Sequence, residues 1–171
     1  EHSARLILTG RTPLPERESR QAFLAQNGPD HPVSAKIKKV EALEAAGAEV
    51  LVCTAEATDL SAMQAAVEKA ERAYGSIDGV IHCAGTSDNF VILRRTRDDD
   101  HTVLAPKVNG ALVLDTLFQN TPLDFMVLCS SLSSELTMFG QVAYVSANAF
   151  LDAFAAWRNT ARQSFTLAIN W

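Results

Sequence analysis

The segment Leu123-Asp124-Phe125-Met126-Val127-Leu128-Cys129-Ser130-Ser131 is apolar for most of its length and stops at two hydroxyls. A short apolar run bounded in this way reads as a strand over Leu123 to Cys129, and the pattern from Val142 to about Arg162 has the length of a helix. Between them lies Gly140-Gln141-Val142-Ala143-Tyr144, followed four residues later by Asn148. Strand then helix is half of a βαβ unit, the element from which parallel sheets are built.

Outward from this segment the alternation repeats. Leu6-Ile7-Leu8-Thr9 is a strand ended by Gly10, Glu49 to Cys53 a second, Ile77 to Cys83 a third and Phe165 to Ile169 a fifth. A helix begins near Val33 and ends at Gly47, with Ile37, Val40 and Leu43 on one face. Asp59 or Ser61 caps another, which carries Met63, Ala66, Val67, Ala70 and Tyr74 on one side. Asp98-Asp99-Asp100 puts negative charge at the start of a third helix, which runs to about Phe118 with Val103, Leu104, Val108, Ala111 and Leu112 inward. Residues 12–32 hold Pro13, Pro15, Gly28, Pro29 and Pro32 and read as an irregular excursion. The expected class is α/β, a doubly wound parallel sheet.

Composition sets outer limits. The 171 residues are 47% hydrophobic and 20% charged, enough to bury a core. Fifteen Lys and Arg against twenty Asp and Glu give a net charge of −5, so no basic field recruits nucleic acid or an anionic membrane. No apolar run approaches the roughly 20 residues that span a bilayer, and no signal peptide opens the sequence, so a soluble, cytoplasmic protein is expected. Cys53, Cys83 and Cys129 lie in or at the end of apolar runs and read as small buried hydrophobes. Their odd number and spacing fit neither a disulfide framework nor a metal site. Lys36, Lys38 and Lys39 read as a solvated helix face, and His82 as a core histidine.

The chemistry concentrates at the ends of strands. Ser131 stands at a strand C-terminus, where open parallel sheets place their ligand crevice. Tyr144 and Asn148 are one helical turn apart and face the same way. Gly140 permits a turn that aims the loop back over the crevice. A hydroxyl, a phenol and an amide converging there suit reduction of a carbonyl, because hydride arriving at carbon develops negative charge on oxygen, to be met by a proton donor and a second hydrogen bond. Tyr144 is the candidate acid and Ser131 the second donor. A phenol of pKa about 10 needs a nearby ammonium to act near neutrality, and lowering that pKa by one takes about 1.4 kcal/mol of favourable interaction with the phenolate. Lys107, after Ala105-Pro106 and before Val108-Asn109-Gly110, is the candidate cation; a solvent-exposed helical lysine is the competing reading.

With these residues in view the sequence resembles the short-chain dehydrogenase/reductase superfamily, and within it the ketoreductase domain of type I modular polyketide synthases. The resemblance is carried by Leu8-Thr9-Gly10-Arg11, Ile77 through Gly85, Val103 through Gly110, Leu123-Asp124-Phe125 through Ser131, Gly140 through Tyr144, Ala147 through Asp152 and Ile169-Asn170-Trp171. Ordinary superfamily members have lysine four residues after the tyrosine. Synthase ketoreductases resemble this chain in having asparagine there, here Asn148, and the lysine upstream, here Lys107.

The resemblance implies NADPH-dependent reduction of a β-ketoacyl thioester, borne on the phosphopantetheine arm of an acyl carrier protein, among neighbouring synthase domains. It implies Tyr144 as general acid, Ser131 as partner of the substrate carbonyl, Lys107 as electrostatic support and ribose contact, and Asn148 as part of a proton relay. On the cofactor side it implies Gly10 and Arg11, with Arg11 meeting the 2′-phosphate unless it is a plain surface cation, and the small pair Ala84 and Gly85. Glu56-Ala57 stands where relatives carry Asp-Val against the adenine. No metal is implied. Asp88-Asn89 partly resembles the Leu-Asp-Asp motif of one hydroxyl configuration, and Leu136 stands where the opposite class has tryptophan.

The resemblance also implies a strand, a glycine-rich turn and a helix ahead of Leu6, so that 1–171 reads as a partial catalytic domain of a longer polypeptide. In the order 3-2-1-4-5-6 that strand is central, so the first two strands here flank a gap separating them from the other three. Two alternatives stand beside the main reading: a free-standing dehydrogenase of the superfamily, and an inactive ketoreductase-like domain that scaffolds a synthase.

Overall fold

The computed structural model describes residues 4–88, 92–136, 139–162 and 164–171. They form two units, Glu1–Glu56 with Ser61–Gly75, and Ala57–Leu60 with Ser76–Trp171.

In the first unit, strands β1 (Arg5–Gly10) and β2 (Glu49–Thr54) pair in parallel from Arg5 opposite Glu49 to Gly10 opposite Thr54. Between them come helices α1 (Arg20–Asn27) and α2 (Pro32–Ala45), and α3 (Leu60–Tyr74) follows β2. The expected irregular excursion over 12–32 is therefore corrected: its middle is α1, preceded by a 3-10 turn at Arg17–Ser19. The prolines and Gly28 bound this stretch instead of filling it, and Gln21-Ala22-Phe23-Leu24-Ala25-Gln26 are competent helix formers. Gly28, at φ 74°, stops the helix in a conformation other residues avoid. Arg20 packs from α1 onto Glu44 of α2 at 3.4 Å. Ile37 and Val40 of α2 and Met63, Ala66 and Ala70 of α3 are buried, whereas Leu43 lies at the exposed margin of its face.

In the second unit, β3 (Gly79–His82), β4 (Phe125–Ser130) and β5 (Thr166–Asn170) form a parallel sheet in that order. Gly79 faces Phe125, and Met126 faces Thr166. Among the described residues no ladder joins β1–β2 to β3–β4–β5.

Two long helices complete this unit, α4 (Arg97–Phe118) and α5 (Val142–Ala161). Thr96 and Asp99 close a capping box at the start of α4, which gives the acidic run its structural role. Val103, Ala111, Leu114 and Phe118 face inward. Leu112, expected inward, is exposed because it lies off the stripe marked by Ala111 and Leu114. Pro106 cannot donate to Thr102 O, and Thr86 Oγ1 donates to that carbonyl instead at 3.3 Å. At the far end Arg158 is wholly buried and donates to Asp115 at 2.9 Å, while Arg162 donates to the same carboxylate at 2.7 Å. Arg158 also donates to Ser164 and Thr166, fixing the turn from α5 into β5.

The cysteines divide. Cys53 is buried and Cys129 partly so, but Cys83 is exposed, a correction to the buried reading; it follows His82, the last residue of β3, and begins the loop. The described residues contain no cluster able to hold a metal and no helix long and apolar enough to cross a membrane.

Candidate active site

Lys107 is directed inward by its place on α4. The side chain is buried, and Nζ donates to Cys129 O near the end of β4 at 2.7 Å. Burial pushes the ammonium below its ordinary pKa, while the Cys129, Cys83 and Asp152 side chains act in the opposite sense. The backbone around it is equally constrained. His82 Nε2 lies 3.3 Å from Lys107 O, and since a carbonyl only accepts, that nitrogen carries the hydrogen. Burial holds His82 below its ordinary pKa and so neutral. Gly110 leaves room for this ring, because a Cβ there would sit 2.7 Å from His82 Cε1.

Across from Lys107 stands Tyr144, half-buried in the first turn of α5. Nζ of Lys107 lies 5.7 Å from the centroid of the phenol ring. One turn further on, Asn148 is fully buried; Nδ2 donates to Tyr144 O at 2.8 Å, and Oδ1 has no partner among the described residues. Ser130 Oγ donates to Asn148 O at 3.2 Å, tying the end of β4 to this turn of α5. Ser131 is the next residue; its Oγ accepts from Ser133 N at 3.2 Å at the head of a 3-10 turn, Leu132–Ser134. The acceptor role leaves the hydroxyl hydrogen available to a ligand.

Gly85, in the loop after β3, comes close enough to Lys107 that a Cβ would lie 3.1 Å from Cε. Its neighbour Ala84 is half-buried. The same loop brings Asp88 inward, only 1% exposed, to the start of α5. Asp88 Oδ2 accepts from Ala143 N at 3.1 Å, from Tyr144 N at 3.2 Å and from Arg95 Nη2 at 2.8 Å. Arg95 Nε also donates to Asp100 of α4, and the bonds to Asp88 and Asp100 raise its pKa above the ordinary value.

The structure thus gathers Lys107, Tyr144, Asn148 and Gly85 at one end of the second unit, with Ser131 attached through Ser130. Ala57 lies elsewhere on that unit, behind α4, 3.6 Å from where a Cβ on Gly110 would stand. The remaining cofactor-side candidates belong to the first unit. Gly10 O accepts from Ala55 N at 3.0 Å, and Arg11, its side chain 72% exposed, pairs with Glu56 at 3.4 Å. Sequence reasoning missed the role of Asp88. It registered there only as half of a motif whose other half, Asn89, lies outside the described residues; the available signal was Gln141, a poor helix cap opening the helix that carries the phenol.

The donor set fits the nicotinamide end of a dinucleotide. Lys107 has three N–H groups and one hydrogen-bond partner among the described residues, leaving donors for ribose hydroxyls, and Asn148 Oδ1 is a buried acceptor without a donor.

Comparison with known proteins identifies the family. The family described as "KR domain" matches residues 1–171. The chain is 36% identical to polyketide synthase PksL of Bacillus subtilis (strain 168), covering 99% of this chain and 4% of that protein. It is 39% identical to a 6-methylsalicylic acid synthase of Aspergillus terreus, covering 98% and 9%. Among solved structures, an N-terminal ketoreductase from the macrolactin assembly line superimposes with a TM-score of 0.81 at 35% identity, covering 99% of this chain and 31% of that one. This chain therefore spans a small part of the relatives named here, polyketide synthases and a ketoreductase among them, and it belongs to the KR domain family.

Proposed function

We propose that this chain is the catalytic part of an NADPH-dependent β-ketoacyl reductase that acts on a thioester carried by an acyl carrier protein within a cytoplasmic multidomain synthase. The observation that carries the reading is the buried ammonium of Lys107, held by Cys129 O at 2.7 Å and lying 5.7 Å from the Tyr144 ring. That arrangement supports proton donation by the phenol, since an ammonium beside it stabilises the negative charge left on its oxygen. The relatives are named as polyketide synthases, which supports a carrier-bound substrate.

Bound NADPH supplies the hydride. Tyr144 Oη gives its proton to the substrate carbonyl oxygen, and Ser131 Oγ donates a hydrogen bond to the same atom as its charge grows. Lys107 stabilises the tyrosinate left behind and binds ribose hydroxyls with its remaining N–H groups. Asn148 Oδ1 accepts from the donor that returns a proton to Tyr144. Ala84 and Gly85 keep the loop after β3 low beside the nicotinamide, and Arg11, with Gly10 leading into it, offers a two-point contact to a 2′-phosphate. Glu56 and Ala57 are assigned to the adenine side.

The test is Tyr144→Phe in the complete domain, with NADPH oxidation followed against a β-ketoacyl thioester. A loss of about 10²–10⁴-fold is expected, the range for removal of a general acid. A near wild-type rate would remove the phenol from the mechanism. Retained NADPH binding with no turnover in the unsubstituted domain would favour a scaffolding domain instead.

A further inference from the structure

Helix α5 opens without a cap of its own, because Gln141 at the N-cap makes no side-chain hydrogen bond. The first N–H groups of a helix have no partner inside it. Two of them are met by Asp88, which lies 55 and 56 residues earlier than Ala143 and Tyr144 in the chain. A carboxylate suits this place, being at the positive end of the helix dipole. One oxygen serves both N–H groups and Arg95 together.

The consequence falls on one residue. Tyr144 N–H is held by Asp88, and Tyr144 C=O is held by Asn148 Nδ2, so side chains grip the main chain on both sides of the phenol-bearing Cα. Arg95 extends the grip to α4, the helix of Lys107, through Asp100 in its first turn. A single buried carboxylate thereby connects the loop after β3, the start of α4 and the start of α5.

We propose that Asp88, held by Arg95, is a positioning residue that sets the phenol of Tyr144 against the ammonium of Lys107. This rests on the reading of Tyr144 as proton donor. Asp88 touches neither substrate nor the reacting atoms; it acts through the main chain of Tyr144.

The experiment uses the complete ketoreductase domain with NADPH and a β-ketoacyl thioester. Asp88→Ala is expected to lower kcat by about 100-fold, the scale of an ångström-size misplacement. Asp88→Asn keeps an acceptor oxygen and is expected to recover part of that loss. Hydrogen exchange at the Tyr144 amide, which needs no turnover, is expected to quicken by about tenfold or more in Asp88→Ala, with less change in Asp88→Asn.

Adding Asp88→Ala to Tyr144→Phe is expected to leave the residual rate where Tyr144→Phe alone puts it, whereas damage to the fold at large multiplies the two losses. Multiplied losses, or wild-type kcat in a folded Asp88→Ala protein, would overturn the proposal. If Asp88→Ala does not fold, Asp88→Asn and Arg95→Gln decide it: a quickened Tyr144 amide with undiminished kcat overturns the proposal, and a quickened amide with reduced kcat supports it. Loss of activity in Tyr144→Phe but not in Asp88→Ala sinks the positioning role alone. Wild-type activity in Tyr144→Phe sinks the proton-donor reading beneath it.

Discussion

Lys107 Nζ and the Tyr144 ring centroid are 5.7 Å apart, although one side chain comes from the middle of α4 and the other from the first turn of α5. Cys129 O holds the amine at 2.7 Å and fixes the direction from which its charge reaches the phenol. In a site drier than water that charge has more effect than on the surface.

Lys107→Met is expected to lower the rate at neutral pH by about 10²-fold, because the negative charge left on the phenol oxygen loses the ammonium beside it. Stability responds in the opposite sense. The folded pKa of Lys107 is below its unfolded value of 10.5, so the folded protein gains stability as pH rises between the two and carries the cost of the buried charge below them. Urea midpoints at neutral pH are therefore expected to be no lower for Lys107→Met than for the parent.

His82 gives an acid-side prediction. Burial places its folded pKa below 6.5, so the unfolded chain binds the proton more readily and stability falls as pH drops from about 6.5 through the folded value. His82→Gln, which keeps a donor in reach of Lys107 O, should flatten the stability loss over that window in chemical denaturation.

Gly85→Ala tests the close approach of the loop to the lysine. The new methyl would lie 3.1 Å from Lys107 Cε, forcing the stem or the loop to yield by a few tenths of an ångström. The expected result is a folded protein with about tenfold lower kcat, a small fraction of what geometric misplacement can cost.

Asp115→Asn bears on the fold alone. Burial opposes ionisation there, yet bonds from Arg162 and Arg158 bring the Asp115 pKa below 3.8. The substitution leaves the buried Arg158 guanidinium without its counter-charge and is expected to destabilise by about 3–5 kcal/mol in equilibrium denaturation. In the parent, the stability this pair contributes is present above pH 3.8 and is lost as pH falls through the lower folded value.

Arg11→Ala addresses cofactor choice. With its side chain 72% exposed and paired to Glu56 at 3.4 Å, Arg11 contributes little to stability. NADPH affinity is expected to fall by about tenfold with NADH affinity unchanged, because only the former carries the phosphate that the guanidinium suits. Fluorescence titration with both dinucleotides measures it.

The strands were legible because each is a short apolar run bounded by turn residues, and β1, β2, β4 and β5 fall within two residues of the ranges their sequences suggest. Lys107, Tyr144 and Asn148 were legible from chemistry and spacing. Helix α1 was hidden by the prolines and glycines around it, a case of boundary signals taken for the interior. Cys83 looked like its buried counterparts because a local pattern does not record where pairing ends. The clasp of Asp88 on α5 was invisible for a deeper reason: no periodicity relates residue 88 to residues 143 and 144, and only the tertiary fold brings them together.

Strand β3 pairs with β4 on one side only among the described residues, and Ile81 within it is 63% exposed. A bare ladder edge beside an aliphatic side chain templates addition of any extended chain that drifts past. Association through this edge would lower a measured rate with no change at Lys107 or Tyr144, and light scattering run beside each rate tells the two apart.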